Sequence, residues 1–156
     1  MARWAEVERE APELAALARS FLDAFTHKTL ATLRRDGSPR ISGSESVIQD
    51  GEVWIGSMWQ ALKARDLQRD PRFALHSGSD DPPEWSGDAK LAGVAVEILD
   101  EDEVRERNGE AGASGPSHLF RLDLREVSTV GLNEARNGLV IEVWTPDRGV
   151  RQIRRR

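Results

Sequence analysis

Two dipeptides, Asp36-Gly37 and Asp50-Gly51, set narrow limits on what this chain can fold into. Each stands between runs of strand length, and Asp-Gly readily takes the positive-φ turn that folds a chain back as an antiparallel hairpin. Thr29 to Leu33 precedes the first turn, a run from about Pro39 to Ile48 joins the two, and Val53-Trp54-Ile55 follows the second. Successive hairpins predict an antiparallel meander. They argue against a parallel doubly wound sheet, whose strands need long crossover connections.

The remaining segments extend that reading. Residues 12–26 predict an amphipathic helix, with Pro12 at its first position, Glu13 in its first turn and a stripe of Leu14, Leu17, Phe21, Leu22 and Phe25. A second helix is expected from about Trp59 to Arg69, stopped by Asp70-Pro71. Strands are expected at Phe73 to His76, at Leu91 to Ile98 and at Phe120 to Leu124, with further short strands at Val127 to Leu132 and Leu139 to Val143. Gly93, within one of them, predicts a bulge or a close backbone approach. Asp100 to Arg107 reads as a short acidic helix, followed by a Gly/Ser-rich surface linker to Ser117. The sum is a single, mainly β domain over residues 1–156, with six or seven antiparallel strands and a few helices.

Composition narrows the function. The 156 residues carry a net charge of −5, which opposes general nucleic-acid binding. No apolar run is long enough to span a bilayer, the N-terminus lacks the apolar stretch of a secretory signal, and a cytoplasmic location is expected. Without cysteine there is neither a disulfide framework nor a thiolate metal site. His27, His76 and His118 are scattered without metal-ligand spacing, although His76 lies near the segment of interest. The basic cluster Arg151, Arg154, Arg155 and Arg156 reads as a solvated tail, or as a contact for a partner subunit or a phosphate.

Candidate chemistry concentrates between Arg40 and His76. A strand ends in Gly56-Ser57, a helix is expected directly after it, and Lys63 and Arg65 fall in the early turns. Unpaired N–H groups at a helix start favour an anion. Ser57 would add a hydroxyl, Lys63 a point charge, Arg65 a planar fork, and Arg40 would reach in from the neighbouring strand. A capped surface helix with exposed basic residues fits the same pattern. Neither a Walker-type loop nor a dinucleotide-binding glycine motif is present.

The runs Leu30-Ala31-Thr32-Leu33, Asp36-Gly37-Ser38-Pro39-Arg40, Trp54-Ile55-Gly56-Ser57 and Lys63 to Arg72 together resemble the pyridoxamine 5′-phosphate oxidase-like superfamily and its flavin and deazaflavin oxidoreductase relatives. The resemblance implies an FMN-binding split β-barrel that acts as a homodimer on a small-molecule redox substrate, with no nucleic-acid or membrane partner. It implies that Ser57 and Lys63 bind the cofactor phosphate, with Arg40 or Ser42 adding a ligand. Segment 88–93, with Lys90, resembles the strand that the partner subunit brings to the flavin. Trp59 and Trp85 become candidates for stacking on the ring. FMN is the expected cofactor and the deazaflavin F-420 the alternative; a non-catalytic flavin- or haem-binding module would use the same fold. The segment with which true pyridoxamine-phosphate oxidases grip substrate is not evident, so the vitamin B6 substrate does not carry over.

Overall fold

Both Asp-Gly turns form hairpins. The computed structural model describes the backbone of residues 1–156 and the side chains of all but Ala111 and Ala113. Strand β1 (His27–Leu33) pairs antiparallel with β2 (Pro39–Glu45) through a turn in which Gly37 has φ 83° and the Asp36 carboxylate accepts the Ser38 N–H at 2.9 Å. Strand β3 (Val47–Gln49) pairs antiparallel with β4 (Glu52–Met58). Asp50 and Gly51 between them take φ 55° and 73°, the two positive values that a type I′ turn requires.

The two hairpins do not form one flat meander. The chain continues through β5 (Arg72–His76), β6 (Gly87–Glu97) and β7 (Ser117–Leu132), and the sheet runs β2-β1-β5-β6-β7-β4-β3. Its two edge strands are consecutive in the chain, separated only by Ser46. One bent strand therefore pairs first with β1 and then with β4, and the sheet closes on itself as a six-strand split barrel. Lys28 helps to fix the bend: its ammonium donates to the carbonyls of Thr26 at 3.2 Å and Ser46 at 3.3 Å. The register of β6 against β7 shifts between Ala92 and Gly93, the bulge expected at that glycine. A Cβ there would sit 1.9 Å from the Asp123 carbonyl oxygen, so only glycine fits.

Beyond the barrel, β7 also pairs with β8 (Leu139–Thr145), and β8 with β9 (Gly149–Arg155). Strand β8 was expected and β9 was not; with the expected run from Pro39 to Ile48 divided into β2 and β3, the total is nine rather than six or seven. The supposed C-terminal tail is an edge strand, exposed over most of its length. Its arginines hid it from a hydrophobic pattern, and charged residues are how edge strands commonly resist further pairing.

Four helices complete the chain. Helix α1 (Trp4–Glu10) was not expected from its charged sequence, yet it buries Trp4 and Val7 completely. Helix α2 (Pro12–Ala24) lies close to the predicted span, but its buried face is Leu14, Ala15, Ala18 and Leu22. The two alanines let it approach the barrel, while Leu17 remains 43% exposed. Helix α3 (Leu62–Arg69) begins three residues later than predicted. Helix α4 (Glu101–Ala113) replaces most of the supposed linker. It is capped by Asp100, whose carboxylate accepts the Glu103 N–H at 2.9 Å, and it breaks at Gly109, where φ is 53°. No helix among the described residues is long and apolar enough to cross a membrane.

Candidate functional site

A cleft of about 660 Å³ opens over the bend between β2 and β3. Its lining includes Gly56 and Ser57 from β4, Trp59 from the turn that follows, Lys63 from α3, and Arg107 and Asn108 from α4. Four of the residues expected to bind cofactor, namely Gly56, Ser57, Trp59 and Lys63, are thus brought together.

Each arrives for a local reason. β4 alternates buried Ile55 and Ser57 with exposed Gly56 and Met58. The missing side chain at Gly56 lets α4 come close, since a Cβ there would lie 2.6 Å from Asn108 Oδ1. Asn108 is anchored by donating its amide hydrogens to Ser117 Oγ at 2.8 Å and to the His118 carbonyl at 3.1 Å. The Ser57 hydroxyl has a long 3.5 Å contact to the Met58 carbonyl and retains capacity for a stronger partner. Lys63 is the second residue of α3, and its ammonium donates to the Gly43 carbonyl at 2.9 Å. Burial pushes its pKa below the usual lysine value, opposed in part by the negative charge of Glu45.

The other predicted residues lie elsewhere in the chain. Arg40 donates to the buried carboxylate of Asp66 at 2.6 Å, together with Arg69 at 2.9 Å and Thr32 at 2.9 Å. It ties β2 to α3 rather than facing the cleft. Ser42 stands on β2 opposite Leu30, outside the cleft lining. Arg65 turns to the Gln60 side-chain oxygen. Lys90 is exposed on β6 opposite His76, and neither it nor Trp85 lines the cleft. His76 instead pairs with Asp88 at 3.4 Å.

Helix α3 starts late because Trp59 and Gln60 form a turn of their own, with Gln60 at φ 64°. Trp59 is 53% exposed and stacks on His118, ring centroids 4.7 Å apart and planes 10° from parallel.

Arg107 was not foreseen. Its guanidinium lies 4.0 Å from the Trp54 ring centroid and pairs with Glu103 at 3.1 Å and Asp50 at 3.3 Å. Burial opposes its charge, but the two carboxylates outweigh burial and hold its pKa above the ordinary value. His118 was also missed as a site residue. Stepping the Phe120, Leu122, Leu124 alternation back by one position would have pointed it inward.

A family model described as pyridoxamine 5′-phosphate oxidase matches residues 14–131, well over half of the chain. No curated protein matches it by sequence. Among solved structures it is similar to PhzG from Burkholderia lata 383, determined with tetrahydrophenazine-1-carboxylic acid: identity is 15%, coverage 94% of this chain and 95% of that one, and the TM-score 0.65. A heme binding protein from Mycobacterium smegmatis matches at 20% identity, 92% and 88% coverage and TM-score 0.63. An F-420 reductase matches at 16% identity, 68% and 91% coverage and TM-score 0.53. At these identities the likeness is one of fold.

Proposed function

Because the chain belongs to the pyridoxamine 5′-phosphate oxidase family, we propose that its cleft binds a phosphorylated flavin-type cofactor and supports redox chemistry on a small molecule. FMN is the first candidate and F-420 the second. The observation that carries this reading is Lys63, a partly desolvated ammonium on the wall of a 660 Å³ cleft beside an under-used hydroxyl at Ser57. An anion restores what burial takes from such a cation, and the volume lies in the usual range for cofactor sites.

The donor set fits a phosphate group. Lys63 supplies a point charge and Ser57 a hydroxyl, while the carboxylate of Glu45 on the same lining works against an anion. Gly56 makes room for the Asn108 side chain against β4, and Trp59 offers a flat apolar surface that excludes water from whatever lies against it. The cofactor, when bound, supplies hydride or electron transfer. No side chain is required as general acid or base under this reading.

The proposed working unit is a homodimer. Val47, Met58 and Trp59 line the cleft while 54%, 80% and 53% exposed, and a second copy of the chain would cover apolar surface of this kind. Lys90 would then act at the partner's cleft.

The test is titration of the purified protein with FMN, F-420 and haemin, followed by cofactor fluorescence or absorbance. Micromolar or tighter binding of one flavin supports the proposal, and reduction of that complex by NAD(P)H or another donor would support the redox role. A folded protein that binds neither flavin overturns it, and tight haemin binding in their place would favour a haem-binding module.

A further inference from the structure

Trp59 stands between two clefts. It lines the one already described and a second of about 510 Å³, whose walls include Glu97, Val104, Arg105 and Pro116. A tryptophan on a turn keeps its orientation only through what touches it, and the stacked imidazole of His118 is one such contact.

His118 is itself tightly defined. It is 3% exposed, on β7 opposite Ser57. Its Nδ1 lies 2.7 Å from Glu97 Oε1, and its Nε2 lies 3.2 Å from the Gln60 backbone nitrogen. An ionised carboxylate only accepts, so Nδ1 carries a hydrogen; a backbone N–H only donates, so Nε2 is bare. The two contacts together select one neutral tautomer, as hydrogen bonds at one imidazole nitrogen commonly dictate the state of the other. Glu97 is held in turn by Gln68, whose amide donates to its two oxygens at 3.1 Å and 3.0 Å. At the far end, Gln60 occupies the left-handed region at φ 64°, which disfavours residues with a Cβ. Its amide bond to His118 and the Arg65 contact to its side chain hold it there.

We propose that His118, with its tautomer set by Glu97, is a positioning residue that holds the Trp59-Gln60 turn and so fixes the aromatic wall of the cofactor cleft. The tautomer and the turn need no ligand. Only the effect on cofactor rests on the flavin-type reading.

The wild-type chain gives the first test. Imidazole 15N shifts of the ligand-free protein should show the neutral Nδ1–H tautomer at His118, and a cationic or Nε2–H ring would overturn the proposal. In Glu97→Leu no acceptor faces Nδ1, so the ring loses the bond that sets its tautomer and one of the two that fix its orientation. The expected result is a pair of 15N shifts displaced from the wild-type values and altered Trp59 emission, taken as the difference from the same protein carrying Trp59→Phe. FMN or F-420 affinity should fall by about tenfold, the scale of one lost hydrogen bond. Glu97→Asp should restore much of each signal. His118→Phe keeps an aromatic ring but removes both hydrogen bonds, and should show the same change in Trp59 emission.

Unchanged Trp59 emission and affinity in folded Glu97→Leu and His118→Phe would overturn the positioning role while leaving a flavin-binding cleft intact. Conversely, the expected tautomer and emission changes in a protein that binds neither flavin would support the relay and sink the cofactor reading.

Discussion

At the scale of single residues, Lys63 and Asp66 show two different uses of charge one helical turn apart. Lys63→Ala should weaken FMN or F-420 binding by roughly 10- to 100-fold, the equivalent of one charge-assisted hydrogen bond of about 1.5–3 kcal/mol, read by fluorescence titration. Its lowered pKa fixes the sign of the pH dependence. A bound phosphate favours the ammonium, so affinity should fall as the solution becomes alkaline, with proton uptake on binding once the free lysine has begun to deprotonate. Asp66 works for stability. Burial acts to raise its pKa, but donation from Arg40, Arg69 and Thr32 outweighs burial and leaves it below the usual aspartate value. A depressed carboxylate pKa contributes stability above the unfolded pKa, which is lost as pH falls through the folded one. Asp66→Asn should therefore destabilise at neutral pH by roughly 3 kcal/mol, the cost of breaking a buried ion pair, and flatten the acid limb of a denaturation profile. The family resemblance pointed to Lys63 and Ser57. It did not show that Arg40 was already committed, because Asp66 lies 26 residues away and the pairing exists only once α3 packs beside β2.

Elements were legible where their period was clean. The hairpin turns, most of α2 and the bulge at Gly93 could be read from turn chemistry and spacing, since each depends on a few adjacent residues. Helix α1 could not. Its two buried side chains, Trp4 and Val7, are three apart in a field of charge, too few to mark a stripe. Tertiary contacts secure it instead: Ala5 donates its N–H to the Gly51 carbonyl at 2.9 Å, and Ala2 exchanges backbone hydrogen bonds with Leu124. Trp4→Ala should cost about 3–5 kcal/mol in urea denaturation, the range for emptying a buried aromatic site. A loss below about 1 kcal/mol would mean that α1 is peripheral to the fold. Only the second half of helix α4, beyond the short helix expected to Arg107, escaped, and for another reason. Its glycines read as linker, but Asp100 caps its start and Glu101, Asp102 and Glu103 complement its N-terminal dipole. Ending the expected helix at Arg107 left Asn108 in a linker, and nothing in the acidic run marked Arg107 as a wall of the cleft.

For the whole molecule, the barrel was expected as a class but not in its manner of closing. Neighbouring turns say that strands pair locally; they do not say that β2 and β3 end on opposite edges of one sheet. That arrangement leaves Val47, Met58 and Trp59 facing outward around the cleft, and the dimer proposal turns on them. Met58→Glu places a charge in that surface and should shift sedimentation of the protein from dimer toward monomer, with loss of cofactor binding in step. A protein that sediments as a monomer before any substitution would remove the basis for a shared site.

The bend at Ser46 gives the cleft a mechanical role as well as a chemical one. Gly43, Ser44 and Glu45 border it from one half of the bent strand and Val47 and Gln49 from the other, with Trp54 of β4 alongside. The cleft therefore lies along the barrel's seam, where the end strands meet through a kinked backbone rather than a ladder of their own. A molecule seated there acts as a clasp across the joint. The empty barrel should breathe first along that line, and its occupant should slow amide exchange in β2 and β3 more than in the distant β8–β9 hairpin. Binding and closure would then be one event, with the cofactor serving as the last fastening of the fold that holds it.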